Sequence, residues 1–406
     1  MENKIKWKGR FLTIAIGQAV SLIGSSAVQF ALIWWLAEQT ASPMIMGIAG
    51  LAAYLPMAFL SPFAGVAADK YNRKIICITA DLSMGAAAFV AALLLYAITF
   101  PIWAVLVILF IRGIGGTFHQ PAIQSIIPQL VPAEELVRVN GWMQLMTAGS
   151  FILGPVIGAA LYATLPMSLV LLTDVIGAIF ACAALAAVKI PPLQQHENHE
   201  AGFFSHFKEG IRVYREDKRL LKLIIAEVLC MLFYAPLSTF YPLMTSDYFN
   251  LSAMYGSIVE VTFAAGMMIA ALLFGSVLKI KNKIRTSYLG LWGIGVTTAV
   301  CGLMPATLPG WIVFAVTCAG MGAFGNVHGI PLTAYIQETV APEKMGRAFS
   351  LIGQITAFAM PIGLLVSSPI AEKVGVHVWF LISGIGILLE LTLVVGIGRF
   401  LKRRQT

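Results

Sequence analysis

The sequence predicts an all-α membrane protein with twelve transmembrane helices in two pseudo-symmetric six-helix bundles. Three observations predict it: an apolar composition, twelve long apolar segments, and basic residues confined to alternate loops. Of 406 residues, 59% are hydrophobic and only 11% are charged, whereas a soluble domain carries about 25% charged residues. A water-soluble chain of this length could not bury so much apolar surface. Lipid is therefore predicted to be the solvent for most of it.

The apolar segments are each long enough to cross a bilayer core, which needs about 20 helical residues. They lack the period-two alternation of a barrel strand, so we predict helices. The first follows a short basic segment and is too long for the apolar region of a signal peptide. The predicted spans are 11–37, 44–68, 75–98, 102–126, 140–163, 167–188, 220–245, 253–278, 286–305, 310–332, 348–370 and 377–399.

The positions of lysine and arginine predict the orientation. With twelve spans, all 27 basic residues except Arg112 and Lys373 fall at the termini, in loops on the same side, or at the span ends next to them. Because cytoplasmic loops carry an excess of basic residues, we expect both termini in the cytoplasm and the chain in the cell membrane. The net charge of +8 is thus explained without nucleic acid, and the expected macromolecular surroundings are membrane lipids.

The only long polar segment, residues 189–219, divides the chain into predicted bundles at 1–188 and 220–406. Within it, Phe203, Phe207 and Tyr214 fall on one helical face and Arg212 near the other, which predicts an amphipathic helix on the membrane surface. A flexible tether is the alternative. The two bundles repeat at an offset of 209, with ten identities in the 47 positions from 112 to 158, as between His119 and His328.

The segment 65–74, GVAADKYNRK, follows the second span and combines five residues with separate predicted roles. A glycine permits close helix contact, an aspartate at a helix end can face the positive end of another helix, and an arginine can pair with acids on a neighbour. We predict a gating loop that holds one access state. An ordinary basic turn is the alternative. The residues of this gating loop are Gly65, Asp69, Lys70, Arg73 and Lys74.

Charged residues inside the spans are the candidates for proton coupling. A charge at that depth is costly and usually functional, and a carboxylate buried in lipid can bind a proton near neutral pH. The alternative for each is a structural ion pair or, for an acid, a position near the membrane interface. Because Glu227 and Glu260 lie in successive spans, we expect them to face each other. The candidates are Asp81, Arg112, Asp174, Glu227 and Glu260, with Glu390 a further acid inside a span.

Polar and small residues mark two other spans. In the first span, Gln18, Ser25 and Gln29 recur at helical spacing and are candidates for lining a substrate cavity. In the fifth, a Gly- and Pro-containing segment predicts a flexible, closely packed helix. Its residues are Gly149, Gly154, Pro155 and Gly158. His119 and His328 occupy matching positions but are assigned no role.

No pattern of catalysis is present in the sequence. The five cysteines lie in apolar segments without a CxxC pair, and no nucleophile–base pair, metal-ligand spacing or phosphate-binding loop appears. We therefore expect a protein that is not an enzyme and holds no cofactor or metal. Without a Walker sequence, ATP is not expected as the energy source.

The chain from Trp7 to Arg404 resembles the macrolide-efflux branch of the drug:proton antiporters in the major facilitator superfamily. The 65–74 loop, Arg112 and the adjacent Gly154 and Pro155 support the resemblance, although Asn72 stands where glycine is commoner. We expect a monomer, and the resemblance implies two bundles around a midplane site and export of bulky, partly hydrophobic compounds in exchange for protons. It also implies a role for Arg112 in proton transfer. A proton-coupled transporter of a metabolite or siderophore is the alternative.

Overall fold

All regular structure that the computed structural model describes is helical, without a strand. The described residues are 2–97, 101–132, 135–190, 212, 214–276 and 280–403. The helices are α1 (Glu2–Thr40), α2 (Pro43–Lys70), α3 (Arg73–Ala97), α4 (Ile102–Leu130), α5 (Leu136–Thr164), α6 (Met167–Ala187), α7 (Lys218–Tyr234), α8 (Leu237–Leu243), α9 (Ala253–Ser276), α10 (Lys283–Leu303), α11 (Leu308–Thr339), α12 (Pro342–Val374) and α13 (Val376–Arg403).

Among these residues, twelve helical segments are long and apolar enough to cross a membrane. They coincide with the twelve predicted spans and confirm the predicted fold class. The ends differ by several residues: the first segment begins at Trp7 and the tenth continues to Thr339. These extensions are helical turns that carry polar residues, which a hydropathy criterion leaves out.

The seventh span is interrupted, whereas the sequence predicted a continuous span over 220–245. Helix α7 ends at Tyr234, the short α8 follows, and a π-helical turn over Met244–Tyr248 completes the span. Pro236 and Pro242 have no backbone N–H to continue the helical hydrogen bonds. Hydropathy counts apolar side chains and takes no account of such a break.

Helix starts in the second half follow local capping chemistry. The side chain of Asp217 accepts hydrogen bonds from the backbone N–H groups of Arg219 and Leu220 at the start of α7. The side chains of Asn282 and Thr307 cap α10 and α11 in the same way. These caps satisfy N–H groups that lack a partner within the helix.

The described helices belong to two compact units. The first comprises Met1–Gln39 and Leu51–Asn198, and the second comprises Thr40–Gly50 and His199–Thr406. In the first unit α3 packs on α4 and on α6. Its apolar core includes Ile14 of α1, Cys77 of α3 and Ile126 of α4.

The second unit repeats the packing of the first. Helix α10 packs on α11 and on α13, as α3 packs on α4 and α6. Glycines that match at the 209-residue offset make equivalent contacts. A Cβ atom on Gly113 would lie 2.4 Å from the carbonyl oxygen of Ala53, and one on Gly322 would lie 2.2 Å from that of Phe263. The internal repeat seen in the sequence is thus a repeat of packing.

The predicted amphipathic helix in 189–219 falls mostly on residues outside those described. Tyr214, which was expected on its membrane-facing side, instead lies in the core of the second unit. It is 2% exposed and its hydroxyl donates a hydrogen bond to the carbonyl oxygen of Ala348, at 2.7 Å. Helical spacing alone did not separate a face toward lipid from a face toward protein.

Candidate functional site

The loop between α2 and α3 is held by basic side chains that bind helix ends. Arg73 donates hydrogen bonds to the carbonyl oxygens of Ala68 in α2, at 2.8 Å, and of Ser125 in α4, at 3.0 Å. Lys70 is exposed in the last turn of α2. A Cβ atom on Gly65 would meet no described heavy atom within 4 Å, so the close contact expected there is not observed. The side chain of Asp69 is outside those described.

Lys74 connects the same loop to a third helix. Its Nζ lies 2.9 Å from the carbonyl oxygens of Ala186 and Val188, at the end of α6. The carbonyl end of a helix carries partial negative charge, which a lysine stabilises. Asn72 accepts from the N–H of Lys74 at the start of α3. The loop therefore joins α2, α3, α4 and α6 within the first unit.

Arg112 and Asp174 form a buried ion pair in the first unit, between α4 and α6. Nη1 of Arg112 contacts Oδ2 of Asp174, and their side chains are 8% and 3% exposed. Nη2 of Arg112 donates to the carbonyl oxygen of Ser25 at 2.8 Å, and its Nε donates to Gln29 at 3.3 Å. The hydroxyl of Ser25 donates to Oδ1 of Asp174 at 2.6 Å.

Ser25 and Gln29 of α1 thus make further hydrogen bonds to the two charged groups of the ion pair. A buried pair is tolerated only when its remaining hydrogen-bonding atoms are satisfied, because desolvation offsets much of the attraction. Ser25 and Gln29 supply those bonds, so two of the three cavity candidates contact the ion pair. The predicted partner for a buried acid is present, whereas a role for Arg112 in proton transfer stays a prediction.

Gln18, the third cavity candidate, lies apart from this network. It is 3% exposed and its amide nitrogen has no hydrogen-bond partner among the described residues. A groove of about 410 Å³ between α1 and α5 is lined by residues including Trp7, Phe11, Arg138 and Trp142. None of Gln18, Ser25 and Gln29 lines it.

Asp81 in α3 faces a histidine of α4. Its Oδ1 lies 3.5 Å from Nε2 of His119, and the two side chains are 3% and 13% exposed. Oδ2 of Asp81 is buried without a hydrogen-bond partner among the described residues. Sequence reasoning gave His119 no role, although its match to His328 was a signal that the position is used twice.

Glu227 and Glu260 do not face each other, which corrects that expectation. Glu260 in α9 accepts a hydrogen bond from the hydroxyl of Tyr241 in α8. Glu227 in α7 instead lies 3.8 Å from His328 in α11. Tyr241 is fourteen residues beyond Glu227, roughly 20 Å along a helix. Adjacent spans bring two residues together only when both lie at the same depth.

The Gly- and Pro-containing segment of α5 packs on α1. A Cβ atom on Gly154 would lie 2.3 Å from the Cβ of Ser26, and one on Gly158 would lie 2.5 Å from the carbonyl oxygen of Ala27. Pro155 lies inside the helix. A Cβ atom on Gly149 would meet nothing within 4 Å. The close approach thus depends on two of the three glycines.

The described residues contain no group of three or more His, Cys, Asp or Glu side chains that could hold a metal ion. The contacts of charged side chains described above include one buried ion pair, two histidine–carboxyl pairs and the carboxyl group of Glu260 bound by Tyr241.

Comparisons with known proteins agree with this architecture. The model of the Major Facilitator Superfamily matches residues 14–364. The chain is 38% identical over 385 residues to macrolide efflux protein A of Streptococcus pyogenes, covering 95% of each chain. It is 24% identical over 392 residues to the multidrug efflux pump Tap of Mycobacterium tuberculosis, covering 94% and 91%. A solved variant of the nucleoside transporter NupG has a TM-score of 0.74 at 11% identity, covering 95% and 99%.

The family model spans most of the chain, and the relatives align along nearly its whole length. Together with the twelve apolar helices, this identifies a multi-pass membrane protein and confirms the resemblance drawn from the 65–74 loop, Arg112 and Gly154. It also confirms that the protein is a transporter and not an enzyme. The chain belongs to the major facilitator superfamily.

Proposed function

We propose that this protein exports hydrophobic or amphipathic small molecules of the macrolide type in exchange for protons, by alternating access. The observation that carries the proposal is the 38% identity to macrolide efflux protein A along 95% of both chains. The similarity to a multidrug efflux pump supports a broad substrate range. The protein acts as a monomer in the cell membrane and requires no cofactor.

The orientation follows from the basic residues. Lysine or arginine occurs among the first ten residues, at 70–74 where α2 ends and α3 begins, and among the last eight residues. Because the cytoplasmic side attracts these residues, both termini lie in the cytoplasm. Substrate then moves outward and protons move inward.

The buried ion pair of the first unit supports coupling to protons. Asp174 is held by Arg112 and by the hydroxyl of Ser25. A proton on Asp174 removes the charge that Arg112 binds, which weakens the connection between α4 and α6. Protonation and helix rearrangement are thereby linked through one contact.

The test is a flux measurement with purified protein in proteoliposomes. A fluorescent macrolide is followed under an imposed pH gradient, with and without a proton uncoupler. We expect concentrative flux that the uncoupler abolishes. Flux that ignores the uncoupler contradicts proton exchange, and the absence of any macrolide flux contradicts the substrate class.

Asp174→Asn isolates the contribution of the ion pair. The variant should lose gradient-driven flux but retain macrolide binding. Asp247→Asn is the matched control, because Asp247 is an exposed carboxylate at the end of the seventh span. Gradient-driven flux in Asp174→Asn equal to that of the parent contradicts coupling through this pair.

A further inference from the structure

A histidine and a carboxyl group are enclosed together inside the second unit. Nε2 of His328 in α11 lies 3.8 Å from Oε1 of Glu227 in α7, and the two side chains are 4% and 14% exposed. Both groups lie within predicted spans. The arrangement was not expected from the sequence, which assigned His328 no role.

The surroundings of His328 fix which ring nitrogen carries hydrogen. Its Nδ1 lies 3.2 Å from the carbonyl oxygen of Ser287 in α10. A carbonyl oxygen only accepts, so Nδ1 is the donor. The hydroxyl of Ser287 in turn donates to the carbonyl oxygen of His328 at 2.8 Å. In the neutral ring, Nε2 is therefore an unprotonated acceptor that points at Glu227.

Two acceptors thus face each other when Glu227 is ionised and His328 is neutral. Nε2 of His328 and Oε2 of Glu227 are both buried without a hydrogen-bond partner among the described residues. Buried polar atoms without partners are unfavourable. One proton, on either group, converts one acceptor into a donor and makes the contact favourable.

Other titratable groups approach the pair from the neighbouring helices. In α13, Glu390 has both carboxyl oxygens buried without a hydrogen-bond partner in the described part of the chain. Cys230, one turn beyond Glu227, lies within electrostatic reach of both carboxyl groups. Tyr214 interacts with Glu227, and Tyr288 interacts with Glu390. No lysine or arginine among the described residues forms an ion pair with Glu227 or Glu390, so no fixed cation replaces the proton.

We propose that Glu227 and His328 form a single-proton binding site, and that the proton bound there is exchanged for substrate. One H⁺ enters from the outer aqueous phase, resides on Nε2 or the carboxyl group, and leaves to the cytoplasm. Only O–H and N–H bonds form and break. The role in exchange rests on the proposed function, whereas the binding of the proton does not.

The first unit also contains a histidine–carboxyl pair, but its acid comes from a different helix. His119 faces Asp81 of α3 rather than a residue of the first helix, and Sγ of Cys77 approaches the carbonyl oxygen of His119 at 4.0 Å. At the 209-residue offset, Glu227 corresponds to Gln18, which has no charge. Both units thus contain a histidine–carboxyl contact, but the two acids come from helices that do not correspond in the repeat. The internal repeat alone therefore does not explain why the contact occurs twice.

The first experiment detects the proton without transport. Full-length protein in lipid nanodiscs is labelled with ¹⁵N-histidine, and the His328 signal is assigned by its loss in His328→Gln. We expect the Nδ1–H tautomer at alkaline pH. An Nε2–H tautomer would overturn the proposal, because His328 would then already donate to Glu227.

The second experiment counts protons. Erythromycin is added to the protein in weakly buffered solution, and released H⁺ is measured. The parent and Asp247→Asn should release one more proton per protein than Glu227→Gln and His328→Gln. Equal release from all four proteins contradicts the site. Erythromycin affinity and the thermal midpoint show which variants are folded. If the variants are not folded, the tautomer measurement on the parent still tests the proposal.

A flux measurement then distinguishes the proposed proton site from the proposed export function. In proteoliposomes, Glu227→Gln should lose gradient-driven erythromycin flux while exchange of labelled for unlabelled erythromycin persists. Uncoupler-sensitive flux that survives in Glu227→Gln contradicts the role of the pair and leaves the proposed function intact. A parent that releases the extra proton but shows no gradient-driven flux contradicts the proposed function and leaves the binding site intact.

Discussion

Gly154 in α5 lies directly against Ser26 in α1, at a distance that leaves no room for a side chain. A Cβ atom on the glycine would come within 2.3 Å of the Cβ of Ser26 and within 3.2 Å of its carbonyl carbon. The equivalent Gly363 in α12 meets the carbonyl oxygen of Leu232 and the ring of Pro236. In each unit, the fifth span of that unit therefore approaches its first span through a glycine.

Gly154→Val should force α5 away from α1. Overpacking of a close contact costs about 1–3 kcal/mol, so the thermal unfolding midpoint in detergent should fall. Gly149→Val is the matched control on the same helix, since a Cβ atom there meets nothing within 4 Å. Equal midpoints for the two variants would show that this contact does not limit packing.

Arg112→Met should destabilise the protein strongly. It leaves Asp174 buried without its cation, and loss of one partner of a buried pair costs about 3–5 kcal/mol. The double variant Arg112→Met and Asp174→Leu removes both charges, so most of the stability should return, while gradient-driven flux should not. Thermal midpoints and flux on the same preparations check this. A double variant as unstable as Arg112→Met refutes the assignment of the cost to an unpaired charge.

Lys74→Met should lower stability modestly. The lysine stabilises the carbonyl end of α6 through Ala186 and Val188, an interaction worth about 0.3–1 kcal/mol. Lys70→Met, in the exposed last turn of α2, should leave the midpoint unchanged. High salt should reduce the difference between the variants, and a difference that is independent of salt argues against an electrostatic cap.

We expect the contribution of Asp217 to the stability of the protein to depend on pH. Burial raises the pKa of this carboxyl, but hydrogen bonds from the Tyr335 hydroxyl and from the backbone N–H groups of Arg219 and Leu220 outweigh burial, so the pKa lies below its usual value. The unfolded value is about 3.9. The stability that the ionised group contributes is therefore present above about pH 4 and is lost as pH falls through the folded value.

The measurement compares the parent with Asp217→Asn. Their difference in thermal midpoint should be constant between pH 5 and pH 8 and shrink as the pH approaches 3. Tyr335→Phe removes one hydrogen bond to the same carboxyl and should show a smaller difference of the same sign. A difference that grows on acidification contradicts a lowered pKa.

The twelve spans could be predicted because length and apolarity are local properties of the chain. The break at Pro236 could not, since proline inside a membrane segment produces either a kink or an interruption according to its neighbours. Tyr214 shows the same limit: its helical spacing was visible, but its burial depends on Ala348, 134 residues away in the chain.

The candidate charges could also be predicted, but not their partners. Arg112 is recognisable because a charge in lipid is rare, whereas its contacts with Ser25 and Asp174 depend on how three helices pack. Glu227 was wrongly expected to face Glu260, because the order of the spans shows which helices are neighbours but not how deep in the membrane each residue lies. His328 was missed because a lone histidine in an apolar segment carries no sign of the acid that faces it.

Leu291 marks how the two halves have diverged. Cys77 and Ser287 occupy equivalent positions, because the side chain of each approaches the backbone carbonyl oxygen of the matching histidine. At the offset of 210 residues that relates them, Leu291 corresponds to Asp81, and it is fully buried among apolar side chains. The second half thus carries leucine where the first half carries Asp81, and the acid that faces its histidine, Glu227, comes from a different helix. Alignments of related transporters that compare one column at a time will therefore not match these two acids, and the three-dimensional neighbourhood of the histidine is the property to compare.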